Sequence, residues 1–205
     1  YWLAGLAGLV PNSRVGAAFV VAALVVAGLA LGWRDREALV PALRARWRLI
    51  CGYEWLFFVA LAGWAWYRAH NPAIETAGGE KYMEMAFINA VVHSPRFPPL
   101  DPWLSGYAIS YYYFGYLIAG MLIRLTGISP SIAFNLVVPM TLGMTLVGAF
   151  GLGYDLVGLS GASRRATRVA SGTLSALVLA LVGNLSGLVE VGFLRGWGSP
   201  RLYQW

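Results

Sequence analysis

The sequence predicts an all-α protein, a polytopic transmembrane helix bundle whose extracytoplasmic loop carries a short interfacial helix. Three observations predict it. Of the 205 residues, 59% are hydrophobic and 12% charged, against about 25% charged in an average soluble domain. The apolar residues fall into runs near the ~20 residues that cross a ~30 Å hydrocarbon core. The charges gather between those runs, as expected when only helices with internally paired backbones cross the bilayer.

A net charge of +6 would suggest nucleic acid in a soluble protein. Here the arginines fall between spans, where they set orientation and meet anionic headgroups, so nucleic acid is excluded as a partner. A lone cysteine, Cys51, forms neither an internal disulfide nor a metal motif and reads as a small apolar filler. The first residues lack the charged region of a cleavable signal peptide. The chain opens inside an apolar run and stops at Trp205 without a terminal element, so a fragment of a longer protein is expected. It reads as a single membrane domain: N-terminal spans over 1–67, an outer loop over 68–106, and C-terminal spans over 107–205.

Residues 1–10 read as the end of an apolar helix, broken at Pro11-Asn12-Ser13. Val15 to Gly32 is the next span. Trp33 to Arg48 follows as a loop whose Arg34, Arg36, Arg44, Arg46 and Arg48 outweigh Asp35 and Glu37, which places it in the cytoplasm. Leu49 to Tyr67 returns across the membrane, with Trp64, Trp66 and Tyr67 suited to an interfacial belt. Arg68 to Gly106 is then extracytoplasmic.

Within that loop, Glu80 to Val92 reads as a short helix. Glu80 and Glu84 stand one turn apart, and Met83, Phe87 and Val91 form an apolar stripe at helical spacing. Such a helix is expected to lie in the interface, apolar face toward lipid. Pro98-Pro99 and Asp101-Pro102 then force an extended return. Tyr107–Leu125, Ile132–Leu156 and Val169–Leu194 are further apolar runs, with Arg164, Arg165 and Arg168 before the last. If all cross fully, those arginines land outside, against the charge rule. A Tyr107–Leu125 segment that re-enters or lies in plane resolves this; otherwise three arginines are too few to overrule the other helices. Gly143, Gly148, Gly151 and Gly153 allow close helix approach.

The stretch from Gly78 to Gly115 is the longest polar interruption and holds Glu80, Lys81, Glu84, His93, Arg96 and Asp101. Its Glu80, Lys81 and Met83, then Pro98, Pro99, Asp101, Pro102 and Trp103, then Gly106, Tyr111, Tyr112, Tyr113 and Gly115 stand in a fixed order. On these residues the chain resembles a family of uncharacterised archaeal and chloroflexus-type bacterial membrane proteins named for a Tyr-Tyr-Tyr motif. Glu84 departs from that pattern, which has Asp there, and Tyr82 stands where the family often has Pro. The likeness continues through Asn135-Leu136, Gly183-Asn184-Leu185 and the Trp197–Arg201 region. That family is similar to the GT-C membrane glycosyltransferases, which use polyprenyl-phosphate sugars. The resemblance therefore implies a GT-C-like bundle, and a further acidic, His-bearing motif downstream of Trp197–Arg201.

For the inverting transfer that the resemblance implies, a carboxylate must take the acceptor hydroxyl's proton and cations must hold the departing phosphate. Glu80, Glu84 and Asp101 are the candidate catalytic bases. Lys81, Arg96 and Arg68 are the candidate substrate-binding cations, arginine preferred for its bidentate geometry; His93 reads better as an interfacial histidine. Tyr111, Tyr112 and Tyr113 could stack on sugar. Each group has a plainer reading: Glu80, Lys81 and Glu84 as a solvated helix face, Asp101 as a turn-former, the tyrosines as an aromatic belt. A divalent cation could take Glu80, Glu84 and Asp101 as oxygen ligands, but three oxygens do not specify a site, so no metal and no cofactor is assigned.

Glu54 and Glu190 lie inside spans and are functional candidates on that ground, whereas Asn135 and Asn184 suit hydrogen bonds between helices. No dinucleotide fingerprint, Cys/His cluster or nucleophile elbow is present. The expected partners are membrane lipid, a polyprenyl-phosphate sugar and an unknown acceptor; the expected location is the cell (plasma) membrane. The competing reading is a non-catalytic membrane subunit or scaffold, whose outer loop docks protein subunits of a larger complex.

Overall fold

The computed structural model describes residues 1–74, 80–161, 164–182 and 191–196. Gly78, Gly79, Asn184, Glu190 and the Trp197–Arg201 region lie outside the described residues. The described chain is helical, with α1 Trp2–Leu6, α2 Arg14–Arg34, α3 Arg36–Ala69, α4 Lys81–His93, α5 Phe114–Thr126, α6 Pro130–Leu159 and α7 Arg165–Val182. Four of these, α2, α3, α6 and α7, are long and apolar enough to cross a membrane.

Ser13 starts α2 by accepting the Gly16 N–H on its Oγ at 3.0 Å, as an N-cap serine does. Trp33 to Arg48, expected as a loop, is helical except at Asp35: α2 runs to Arg34 and α3 begins at Arg36. The arginines are soluble in sequence but are good helix formers, as are the alanines and leucines between them. Pro41, inside α3, removes one bond to the Glu37 carbonyl, and Glu37 is exposed, so water can replace it.

The run Tyr107–Leu125 is helical only from Phe114. At 13 residues, α5 is about 20 Å long, short of a ~30 Å core. Gly127 closes it at φ 77°, a left-handed cap that glycine adopts without Cβ strain.

Close contacts divide the chain into two units, Tyr1–Cys51 with Ala62–Pro139, and Gly52–Leu61 with Met140–Trp205. In the first, α5 packs against α4 and α2. Ile88 of α4, Ala119 and Ile123 of α5, and Ala133 and Phe134 of α6 form its buried cluster. Gly120 lets the two short helices touch: a Cβ there would stand 2.5 Å from Val91 Cγ1. The apolar stripe of α4, expected to face lipid, instead faces protein, with Phe87 and Val91 at 3% and 1% exposure. Asn135, expected to bridge helices, donates its Nδ2 to the carbonyls of Pro72 and Ser131 at 3.1 and 3.0 Å, tying α6 to the segment after α3.

In the second unit, Tyr53 meets Phe150 edge-on at 5.4 Å, and Phe57 fills the notch at Gly143, where a Cβ would lie 2.9 Å from its ring. Arg168, expected in a basic loop, belongs to α7. Its guanidinium lies 4.1 Å from the centre of the Tyr154 ring and 3.4 Å from Asp155 Oδ1. With α5 too short to cross, counting only the four long apolar helices removes the orientation conflict at Arg164, Arg165 and Arg168.

Candidate functional site

The polar stretch folds around Phe87. From Glu80 the chain turns into α4, where the Glu84 N–H donates to the Glu80 carbonyl at 2.9 Å. That hydrogen bond sets the two carboxylates one turn apart at the N-terminal end, where the helix dipole favours negative charge. One turn further, the buried Phe87 ring meets Trp103 edge-on at 5.3 Å, Tyr111 stacked at 5.7 Å and Tyr116 tilted at 5.4 Å. Tyr112 lies over Tyr111 with ring centres 3.9 Å apart.

The proline-rich return delivers these rings. Its Phe97–Pro98 peptide is cis. Ile109 N donates to Pro99 O at 3.0 Å and Asp101 N to Tyr107 O at 2.8 Å, with an antiparallel bridge between Leu100 and Ala108. Asp101 Oδ1 accepts the N–H groups of Trp103 and Leu104 at 2.8 and 2.9 Å. The carboxylate thereby shapes the turn that holds Trp103 on Phe87. Trp103 and Tyr112 keep 61% and 66% of their surface exposed, forming an open aromatic shelf over Phe87 and Tyr111.

The three consecutive tyrosines divide their work. The Tyr111 hydroxyl donates to Tyr112 at 2.6 Å, while Tyr113 accepts from Trp2 Nε1 at 3.0 Å and anchors α1. The hydrogen bond to Tyr112, then desolvation, then the Glu80 charge push the Tyr111 phenol up to about 12. On Tyr116, burial first and the Glu84 charge second push in the same direction. Glu80 and Glu84 therefore lie within electrostatic reach of Tyr111 and Tyr116, the two tyrosines packed on Phe87.

A raised phenol is neutral below its folded value, so its contribution to stability is complete below the ordinary ~10 of free tyrosine and is lost as pH rises through about 12. A difference titration of phenolate absorbance, wild type minus Tyr111→Phe, is expected to show a midpoint near that value. Tyr112→Phe should return the midpoint toward 10, since it removes the acceptor. A midpoint unmoved by Tyr112→Phe would mean that the hydroxyl pair does not persist in solution.

The sequence candidates do not all converge. Glu80, Lys81 and Glu84 share the first turn of α4, and Tyr111 and Tyr112 join them. Arg96 lies beyond the other end of α4, about 20 Å along the axis from Glu80 for a 13-residue helix, and is exposed. Arg68 is in the last turn of α3. His93 is exposed, with Nδ1 2.7 Å from the Asn89 carbonyl. Among the described residues, no group of His, Cys, Asp and Glu is placed to hold a metal.

Two residues that the sequence did not single out hold α4 in place. Buried Asn12 donates Nδ2 to the carbonyls of Val91 and Ser94 at 2.7 and 2.6 Å and accepts from the Tyr1 hydroxyl at 2.7 Å. Arg124 Nη2 reaches the Val92 carbonyl. Together they satisfy carbonyls that a helix C-terminus leaves unpaired, and a positive charge there also suits the dipole. A lone arginine inside the apolar stretch 114–126 was the available signal.

Helices long and apolar enough to cross a membrane, joined to a packed polar segment between them, mark a polytopic helical membrane protein. The family described as Uncharacterized membrane protein (DUF2298) matches residues 1–200, and the chain belongs to it. No curated protein and no solved structure matches the chain.

Proposed function

We propose that this chain supplies part of the sugar-transfer site of a GT-C-type membrane glycosyltransferase, moving a sugar from a polyprenyl-phosphate donor to an acceptor at the extracytoplasmic face of the cell membrane. The observation that carries this reading is the juxtaposition of Glu80 and Glu84 with an exposed shelf of rings. Aromatic faces complement the apolar C–H faces of sugars, and a carboxylate beside them can orient or deprotonate a hydroxyl.

In the transfer, the acceptor oxygen bonds to the anomeric carbon as its proton passes to Glu80 or Glu84. The bond from that carbon to the donor's phosphate oxygen breaks, and its electron pair leaves with the phosphate. Lys81, next to Glu80 at the start of α4, is the first candidate cation for that charge, Arg96 and Arg68 being further candidates from other elements. The arginines from Arg34 to Arg48 support a cytoplasmic α2–α3 junction and hence an outer α4.

Native mass spectrometry of the full-length protein in mild detergent, beside a Glu80→Gln, Glu84→Gln double variant, tests this. Co-purified polyprenyl phosphate or its glycoside, retained by the variant without turnover, is the expected result. A lipid-free protein in fixed stoichiometry with other subunits would replace the transferase with a scaffold.

A further inference from the structure

Glu54 lies within α3, about 9 Å along the axis from Arg48 at 1.5 Å per residue. The stretch from Arg48 to Arg68 has roughly the 20 residues that match a hydrocarbon core. Its side chain is exposed and makes no hydrogen bond or ion pair among the described residues. The residues one turn away on its own helix, Ile50, Cys51, Phe57 and Phe58, offer it no basic partner. A carboxyl group at that depth is costly unless something pairs with it.

The surface beside it has a second unfilled feature. Glu54 lines a groove of about 430 Å³ with Tyr53, Phe57, Met144, Val147 and Gly148. Along α6, the notch at Gly143 is filled by Phe57 and Gly151 faces Tyr53, while Gly148 has nothing within 4 Å of where a Cβ would stand. The contact between α3 and α6 uses the glycines on either side and leaves the middle one vacant. Vacant glycine and unpaired carboxylate meet in one groove.

Small residues that admit a backbone and polar residues that bond across helices are what transmembrane helix contacts use. Acyl chains can fill an apolar groove but carry no donor for a carboxylate. The geometry points to this groove as the seat of a further transmembrane helix, which packs its backbone on Gly148 and presents a lysine or arginine to Glu54. This inference is independent of the glycosyl-transfer reading.

The test places a benzoylphenylalanine photocrosslinker at Met144 of the full-length protein in native membranes and sequences the adduct. The expected adduct is a transmembrane segment carrying Lys or Arg. Its yield should fall about tenfold with Glu54→Leu, since breaking a desolvated charge pair is costly, and likewise with Gly148→Leu. Glu54→Lys should also lose it and regain it when the captured basic residue is changed to Glu, which a misfolded variant would not do. Adducts with lipid alone, capture of a segment lacking a basic residue, or a yield indifferent to Glu54→Leu would each overturn the proposal.

Discussion

Phe87→Ala is expected to loosen the whole polar segment while leaving the four long helices in place. The ring is 3% exposed and is the contact shared by Trp103, Tyr111 and Tyr116. Truncating a buried phenylalanine costs about 3–5 kcal/mol through lost transfer energy and the cavity left behind. The aromatic pairings add about 0.5–1.5 kcal/mol each beyond area, so burial decides the outcome. At ~1.4 kcal/mol per decade, amide exchange in α4 and across the Pro99–Ile109 bond should accelerate by roughly two to three powers of ten. Phe87→Leu keeps most of the volume and should cost under about 1.5 kcal/mol, one decade at most. An alanine variant with unchanged protection in α4 would remove Phe87 from the centre of this segment.

The short helix between Glu80 and Val92 was legible because its period is local: carboxylates and apolar residues recur at one-turn spacing, and Ser94-Pro95 follows. What covers that apolar face was not. Lipid and protein both satisfy Phe87 and Val91, and the choice fell to Gly120, whose missing side chain admits Val91. Asn12 was invisible for a similar reason, since its partner Val91 lies 79 residues away. The loop expected at Trp33–Arg48 is helical for a different reason: charge marks an exit from the apolar run but not a break in helix, since arginine favours helix and only Asp35 interrupts it.

Asp101 shows where role and residue type part company. Sequence alone puts it level with Glu80 and Glu84 as a base, and it stands among the residues from Pro98 to Trp103 that carry the family resemblance. In the fold its Oδ1 accepts two N–H groups of the turn carrying Trp103, so the same residue is positioned to hold the shelf. The two roles make opposite predictions. An asparagine at 101 keeps an accepting oxygen for both N–H groups and removes only charge and basicity.

Under the proposed transfer of a sugar from polyprenyl phosphate, Asp101→Asn is expected to keep kcat within a few-fold, because the turn survives. Asp101→Ala loses two hydrogen bonds worth about 1 kcal/mol each and should raise KM more than it lowers kcat, as Trp103 leaves Phe87. Loss of a general base lowers the rate by about 10²–10⁴, and that drop should follow whichever of Glu80→Gln and Glu84→Gln removes the acceptor's base, with KM nearly unchanged. The other variant should behave as a neighbour that helps orient the hydroxyl, with a smaller loss. Should Asp101→Asn instead fall by the full base-loss factor while both glutamine variants stay active, the chemistry would belong to the proline-rich return. The first turn of α4 would then be left as a solvated edge beneath the rings.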